Sequence, residues 1–501
     1  MKIIKKKSIF LLFYFILIIQ SKYIVIPLKK YTYNYDENST LLSNIYSNLY
    51  YTELSIGERK QTLITFINTT THSNFGIYNK LCDSRFYLED SKINKNYNYS
   101  NSSTFTQIGE GEMNKGTEDI LIKDEINFFT NFELTEEKKV KNISLLYNPN
   151  NKEYILDDVG IDFIIEKEKK TTCGYIGFKL RLKTQTVNNN LLEQLKEKEI
   201  ISNTIFTFVE ANKNNEIYKK NNIDYLLIIG DELYNIFTQK DISKYISEKY
   251  DKNNYREKNK INDYIMDKGY YFIWKITFSN IYINIDNNVI YMKQIEDVFL
   301  DNDFGLISGT REYRDLIEQS FFNEYINKSK CKRDILRTND LGSFYYYICD
   351  SDISINNFPN LYLKSTNFQY EFQLTKDELF VEDKDKIYFL IVFEFSKVNT
   401  WKLGKPFLEK YLFSYNYDAK TIIFYNENLS KDESNTNNNK NNKYIIIIVV
   451  IVLLLIALVI GFLFGRNIYY KRKNLKALEM NSSLEYGYEN ENLNSNENNI
   501  N

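Results

Sequence analysis

The chain has 501 residues, too many for one ordinary core and enough for two lobes or a large two-part domain. Hydrophobic residues make up 43% and charged residues 26%, a globular balance, and the formal net charge of -2 offers no basic field to draw nucleic acid. His72 is the one histidine, which argues against a His-based metal site or triad; neither a metal nor a cofactor is expected. The chain holds 43 Tyr and is loaded throughout with Asn, Ile and Lys, so Asn-rich loops carry little functional information here.

In chain order, Met1 to Gln20 reads as a secretory signal peptide: a basic opening, "KIIKKK", then the apolar run "SIFLLFYFILII". Cleavage near residue 21 is favoured over an uncleaved anchor. A propeptide, if one is removed, falls at Lys22 to Asn44. From Tyr46 to Asn428 the pattern is strand-like, with short β-branched and aromatic runs such as "LLIIG", "YFIWKITFSNIYINI", "KIYFLIVFEF" and "TIIFYNE". Two helices interrupt it. One lies in "NNLLEQLKEKEII", where Leu191, Leu192, Leu195 and Ile200 approach helical spacing. The other follows Gly309, with Tyr313, Ile317, Phe321 and Tyr325 in steps of four and Leu316 beside them. Ser243 to Lys268 is charged, has no apolar face, and is expected to be an excursion between lobes.

Residues 429–443 read as a polar stalk and Tyr444 to Phe464 as an uncharged run of bilayer-spanning length. Arg466, Lys471, Arg472, Lys473 and Lys476 follow it and mark the cytoplasmic side, leaving 465–501 as a polar tail. The expectation is a single-pass type I membrane protein of the secretory pathway, cell surface or endolysosomal system. Of the four cysteines, Cys331 and Cys349 are close enough in sequence to close a loop in an oxidising compartment, while Cys82 and Cys173 are left open as a pair or as free thiols. Sequons at Asn38, Asn98, Asn101, Asn142, Asn327 and Asn428 fit glycosylation on the same side.

A series of blocks, in the same order, resembles the pepsin-like aspartic peptidases. "SIGERKQTLITFINTT" is similar to the first active-site strand pair, with Ile56, Gly57 and Gln61 on its turn. Asn68 then falls where the first catalytic Asp belongs, Thr69 on the following Thr and Thr70 on the Gly. "SNSSTFTQIGEGEMNKGTEDILI" resembles the flap segment through Ser103, Thr104, Phe105, Gly109, Gly111, Gly116 and Asp119, with Ile108 in place of the flap Tyr. "CGYIGFKLRLKTQTVNNNLLEQLKEKEIISNTIFTF" matches a further block at Gly174, Ile176, Gly177, Gln194, Leu195, Ile201 and Phe206. "YLLIIGDELY" looks like the strand closing the first lobe and "FIWKITFSNIYI" like the entry to the second. "DVFLDNDFGLISGT" resembles the second catalytic motif, with Asp301 on the second Asp and Leu306, Ile307 and Gly309 matching. There, Asn302, Asp303, Phe304 and Gly305 replace the usual Ser, Gly, Thr and Ser. "WKLGKPFLEKYLFSYNYDAKTIIFYN" is similar to the closing block through Leu403, Gly404, Phe407, Leu408 and Asp418.

The resemblance implies a mostly β, bilobal pepsin-like fold ahead of a C-terminal transmembrane helix. It places one lobe at 46–230, a charged insertion at 231–268 and a second lobe at 269–428. It implies a reaction in which two carboxylates about 3 Å apart share one proton and activate a water. Asn68 offers an amide, which does not titrate in the working range and cannot trade that proton. Thr70 and Asp303 replace the glycines that let both loops turn tightly, and Asp303 adds charge beside Asp301. A slip of two residues would seat Asp303 in the site instead; the end of the apolar "VFL" run at Asp301 favours Asp301. The expected site therefore comprises Asp301 and Asn68 at the two catalytic positions, with Thr69, Thr70, Ile108, Gly109, Asn302 and Asp303 around them. The expected function is a monomeric, non-catalytic pseudopeptidase holding a peptide or protein ligand between its lobes. The alternatives are a weakly active aspartic endopeptidase and a structural surface protein.

Overall fold

The computed structural model describes residues 22–31, 41–46, 49–69, 75–82, 102–110, 120–148, 171–178, 190–233, 235–236, 244–247, 256–261, 264–266, 272–285, 288–292, 296–338, 342–365, 368, 370–395, 401–426, 465–466 and 468–474. The chain divides into two compact units, Met1–Glu427 and Asn428–Asn501. The described part of the second unit is exposed helix. Among the described residues no helix is long and apolar enough to cross a membrane. The expected signal peptide (1–21), stalk (429–443) and span (Tyr444 to Phe464) lie outside the described residues.

The first unit is mostly β. Its strands begin with β1 (Ile24–Tyr31), β2 (Leu49–Ile56), β3 (Gln61–Asn68), β4 (Phe75–Cys82), β5 (Thr106–Glu110), β6 (Ile120–Phe129), β7 (Glu137–Asn148), β8 (Thr171–Gly177), β9 (Ile205–Glu210) and β10 (Tyr225–Ile229). There follow β11 (Arg256–Ile261), β12 (Tyr264–Met266), β13 (Phe272–Ile285), β14 (Asn288–Tyr291), β15 (Glu296–Leu300), β16 (Ile307–Ser308), β17 (Cys331–Thr338) and β18 (Gly342–Asp350). The last are β19 (Leu361–Ser365), β20 (Tyr370–Leu374), β21 (Phe380–Asp383), β22 (Lys386–Phe389), β23 (Ile391–Glu394), β24 (Lys402–Leu403), β25 (Leu412–Asn416) and β26 (Thr421–Asn426).

These strands form two sheets. The first runs β11-β26-β25-β9-β10-β1-β2-β3-β8-β4-β7-β6-β5, so the last two strands of the unit join the sheet built by the first ten. The second has the path β20-β19-β13-β15-β24-β16-β23-β18-β22-β21, with β12 and β14 on β13 and β17 on β18. β10 shows why a continuous apolar run fits the middle of the first sheet. Tyr225, Leu227 and Ile229 enter one core cluster while Leu226 and Ile228 enter another, so both faces are covered. The larger cluster spans both sheets. Phe413 and Phe424 of the first sheet pack against Phe372 of the second at ring-centroid distances of 6.0 and 4.9 Å. Each such buried ring contributes about 1.5–3 kcal/mol.

Three boundaries differ from the sequence expectation. The first sheet begins at Ile24, not Tyr46: β1 lies between β10 and β2, with Ile24, Val25, Ile26 and Leu28 almost fully buried. Residues 412–426 belong to the first sheet although they close the second lobe in sequence. The charged stretch expected as an excursion carries two strands: β11 pairs with β26 at the sheet edge and β12 with β13. An edge strand is held by backbone hydrogen bonds and is commonly charged, so it needs no apolar stripe to signal it.

Both expected helices form. Helix α1 (Leu191–Glu197) is capped by Asn190, whose side chain accepts from Glu193 N–H, and buries Leu191, Leu192 and Leu195. Its Gln194 clasps β7 in both directions: the side-chain amide donates to Ser144 O at 2.8 Å, and Ser144 N–H donates back at 2.6 Å. Helix α2 (Arg311–Ile317) starts at Thr310, whose hydroxyl accepts from Tyr313 N–H, and buries Tyr313 and Ile317. A π turn over Glu318–Phe322 then continues it. The extra residue of that turn carries Phe322 into the core, stacked on Tyr347 at 4.0 Å, which a strict step of four does not foresee.

Cys331 and Cys349 face each other across β17 and β18 and are disulfide-bonded, as expected. With the pair 18 residues apart, replacing both by Ala is expected to lower unfolding free energy by about 3 kcal/mol, read by urea denaturation against the oxidised parent. The side chains of Cys82 and Cys173 lie outside what is described.

Candidate functional site

The site is the meeting point of two strand ends, one from each sheet. On the first side, β2 and β3 form a hairpin in which Ile56 pairs with Gln61. Its turn needs glycine at position 57, where φ is +75° and an added Cβ would lie 2.7 Å from Ser102 Oγ. Gly57 N–H donates to Glu125 O at 2.8 Å, and Lys60 N–H donates to Gly57 O at 3.0 Å. Ser102, Thr104 and the Glu125 N–H all donate to the fully buried carboxylate of Asp124, which ties the "SST" segment to this turn.

From the turn, β3 runs parallel to β8, with Ile67 opposite Ile176 and Asn68 opposite Gly177. Asn68 is the last residue of the strand, and the next residue, Thr69, is 2% exposed. The strand ends there because Thr69 turns its backbone N–H out of the ladder and across to the other sheet. It donates to Asp303 Oδ2 at 2.7 Å, and the Thr69 hydroxyl donates to the same oxygen at 3.2 Å.

On the second side, β15 leads into Asp301, Asn302 and Asp303, and Phe304 precedes β16. Asp301 N–H donates to Leu403 O at 3.0 Å, and Lys405 N–H donates to Phe304 O at 2.9 Å. The loop is therefore threaded through the β24–helix corner, where α3 (Lys405–Leu408) begins. Asp301 and Asn302 are buried. Asp301 Oδ1 accepts from Asp303 N–H at 2.9 Å, and Oδ2 lies 3.7 Å from Lys402 Nζ. The Asn302 side-chain amide donates to the Tyr415 hydroxyl at 3.2 Å.

The acid that reaches across to the first sheet is Asp303, whose Oδ2 accepts from both the N–H and the hydroxyl of Thr69. Asp301 is turned back into its own loop. The side chain of Asn68, and Thr70 and His72 entirely, lie outside the described residues, so the Asn68–Asp301 separation is not defined. Ile108 and Gly109 fall in β5, where the pairing with β6 shifts between Gln107 and Gly109; their side chains are outside what is described.

Two lysines complete the charge balance. Lys402 is half-buried beside Asp301, with its ammonium 5.0 Å from the Phe304 ring centroid. Lys405 is 5% exposed, and its ammonium sits 3.9 Å from the Tyr50 ring centroid. Burial pushes the Lys405 amine down to about 7, helped by Lys30 and opposed by Glu409, Asp303 and Asp301. Burial also pushes the Asp303 carboxyl up to about 7; the Asp301 charge adds to this, while Thr69 and Lys405 oppose it. Sequence reading singled out neither lysine. The available signal was that two lysines bracket the short "LG" of "WKLGKPF".

Asp303 therefore holds its proton in the folded chain up to about pH 7, whereas an unfolded Asp releases it near 4. Wild-type stability from this group falls as pH rises from about 4 to about 7. Asp303→Asn keeps an acceptor for Thr69 but removes the titrating, half-buried carboxyl. Its stability relative to wild type is expected to rise by at least about 1 kcal/mol between pH 5 and pH 8.5. Urea midpoints at the two pH values measure this, and an unchanged difference would show the carboxyl to be solvated.

No protein-family model and no curated protein matches this sequence. Among solved structures, conglutin gamma, a basic 7S globulin from lupine seeds, superposes with a TM-score of 0.51 at 12% identity, over 82% of this chain and 96% of that one. At that identity the likeness shows a shared fold alone.

Proposed function

We propose that this chain is a membrane-anchored, non-catalytic relative of the pepsin-like aspartic peptidases that holds an extended peptide or protein segment between its two halves. The observation that supports this reading is the state of the floor. The strand from the first sheet ends in Asn68 and Thr69, neither of them an acid. Both carboxylates come from one loop, and both have partners: Asp303 receives Thr69, and Asp301 faces Asp303 N–H and Lys402. A shared-proton pair needs facing carboxylates with a water between them, and here the link across the halves is a hydrogen bond to a threonine. In this reading the signal peptide expected at 1–21 and the span expected at Tyr444 to Phe464 would put the large unit in the lumen or outside the cell, as a single-pass type I protein.

A weakly active endopeptidase is the second reading. Asp303 and Asp301 are neighbours, and the Asp303 carboxyl is raised to about 7, as one member of a proton-sharing pair would be. The full-length protein, incubated with a library of quenched peptides from pH 3 to pH 7, separates the two. Capture of extended peptides without turnover supports the non-catalytic reading, and pepstatin-sensitive cleavage overturns it. Neither capture nor cleavage would point to a structural surface protein.

A further inference from the structure

Strand alternation sorts the residues around Asp301 into two sides. Val298, Leu300, Trp401 and Leu403 are fully buried on one side. Phe299, Asp301 and Lys402 occupy the other, where Phe299 and Lys402 are half-buried and directly paired across the parallel strands β15 and β24. Two lysines share this face with Asp301: Lys275 of β13, buried opposite Phe299, and Lys402, and it is the Lys402 ammonium that meets Asp301 Oδ2 at 3.7 Å. The other carboxylate oxygen already accepts Asp303 N–H.

We propose that Lys402 is an internal lock: its ammonium occupies the second carboxylate oxygen of Asp301 and keeps that oxygen from anything bound in the groove. The inference rests on the reading of the chain as a silenced peptidase and extends it, because it makes the amide at position 68 only one of two obstacles. A carboxylate that must accept and return a proton needs an oxygen open to the reacting group; here one oxygen of Asp301 accepts Asp303 N–H and the other faces the Lys402 ammonium. The half-buried setting removes part of the water that would otherwise screen the pair. Lys402 acts here through Asp301, as a positioning residue.

The test uses the full-length protein in detergent and four variants: Asn68→Asp alone, and the same change combined with Lys402→Met, Lys402→Gln or Lys402→Arg. Binding of pepstatin and turnover of quenched peptides are followed from pH 3 to pH 7, with thermal unfolding confirming that each variant is folded. Asn68→Asp alone is expected to remain inert. Adding Lys402→Met is expected to tighten pepstatin binding at least tenfold over Asn68→Asp alone, with Lys402→Gln as the replacement should the Met variant fail to fold. Adding Lys402→Arg is expected to bind pepstatin no better than Asn68→Asp alone, since it keeps the cation. Equal affinity with and without the cation, or an Arg variant that behaves like the Met one, overturns the lock. Wild-type cleavage would instead remove the non-catalytic reading, and the Lys402 comparison would still be readable from the rates.

Discussion

Replacing Gly404 by Ala is expected to cost about 3 kcal/mol or more, the upper end of what overpacking does in a folded core. The added Cβ would lie 2.1 Å from Phe304 O and 2.1 Å from Leu306 O, and both of those atoms are backbone. Neither carbonyl has room to retreat. Phe304 O accepts from Lys405 N–H, and Leu306 leads directly into β16, which is hydrogen-bonded to β23 and β24. Gly57→Ala is the informative contrast. There the nearest atom is a side-chain hydroxyl, and the main penalty is the left-handed φ of +75°, worth about 1–2 kcal/mol. Urea unfolding of the two variants ranks them. A loss below about 1 kcal/mol for Gly404→Ala would mean that the Asp301–Leu306 loop opens more easily than its threading implies.

Deleting residues 22–31 is expected to prevent folding of the large unit altogether. β1 is an interior strand, bonded to β10 through Ile24–Leu28 and to β2 through Lys29–Tyr31. Its four almost fully buried side chains, Ile24, Val25, Ile26 and Leu28, together contribute on the order of 6–12 kcal/mol. That range overlaps the entire stability of an ordinary domain, about 5–15 kcal/mol. A deletion variant with native near-ultraviolet circular dichroism and cooperative unfolding would show that another segment substitutes for β1. The same reasoning opposes removal of Lys22 to Asn44 as a dispensable propeptide, unless another strand takes the same slot.

The elements that sequence reading found are those with a local signature. Helix α1 was legible because Leu191, Leu192 and Leu195 recur near helical spacing, and β10 because "YLLII" is apolar throughout. The disulfide was legible from proximity, and the sheet confirms it by placing Cys331 opposite Cys349. What sequence could not supply was partnership over long separations. β11 is charged and joins β26 by backbone alone, which leaves no periodic trace. The site shows the same limit. Thr69, Asp301 and Asp303 were all identified as candidates, yet whether Asp301 or Asp303 faces the first sheet depends on how the loop threads past Gly404. That threading is a tertiary fact, as are the positions of Lys402 and Lys405.

The completion of the first sheet by β25 and β26 bears on how the chain is made. Among the described residues, the Ile205–Thr207 part of the β9 edge gains its strand partner, Ser414–Asn416, only after residue 412 leaves the ribosome, whereas Glu210 at the other end accepts from Ser247 N–H. Roughly 180 residues separate the end of β10 from that point, so at 5–20 residues per second the nascent chain carries an open, apolar strand edge for about 10–40 seconds. Docking a late ribbon against an early one is a slow, non-local step. A translation product that stops short of β25 keeps this edge bare, and its expected fate is strand-to-strand association with other unfinished copies or capture by a chaperone.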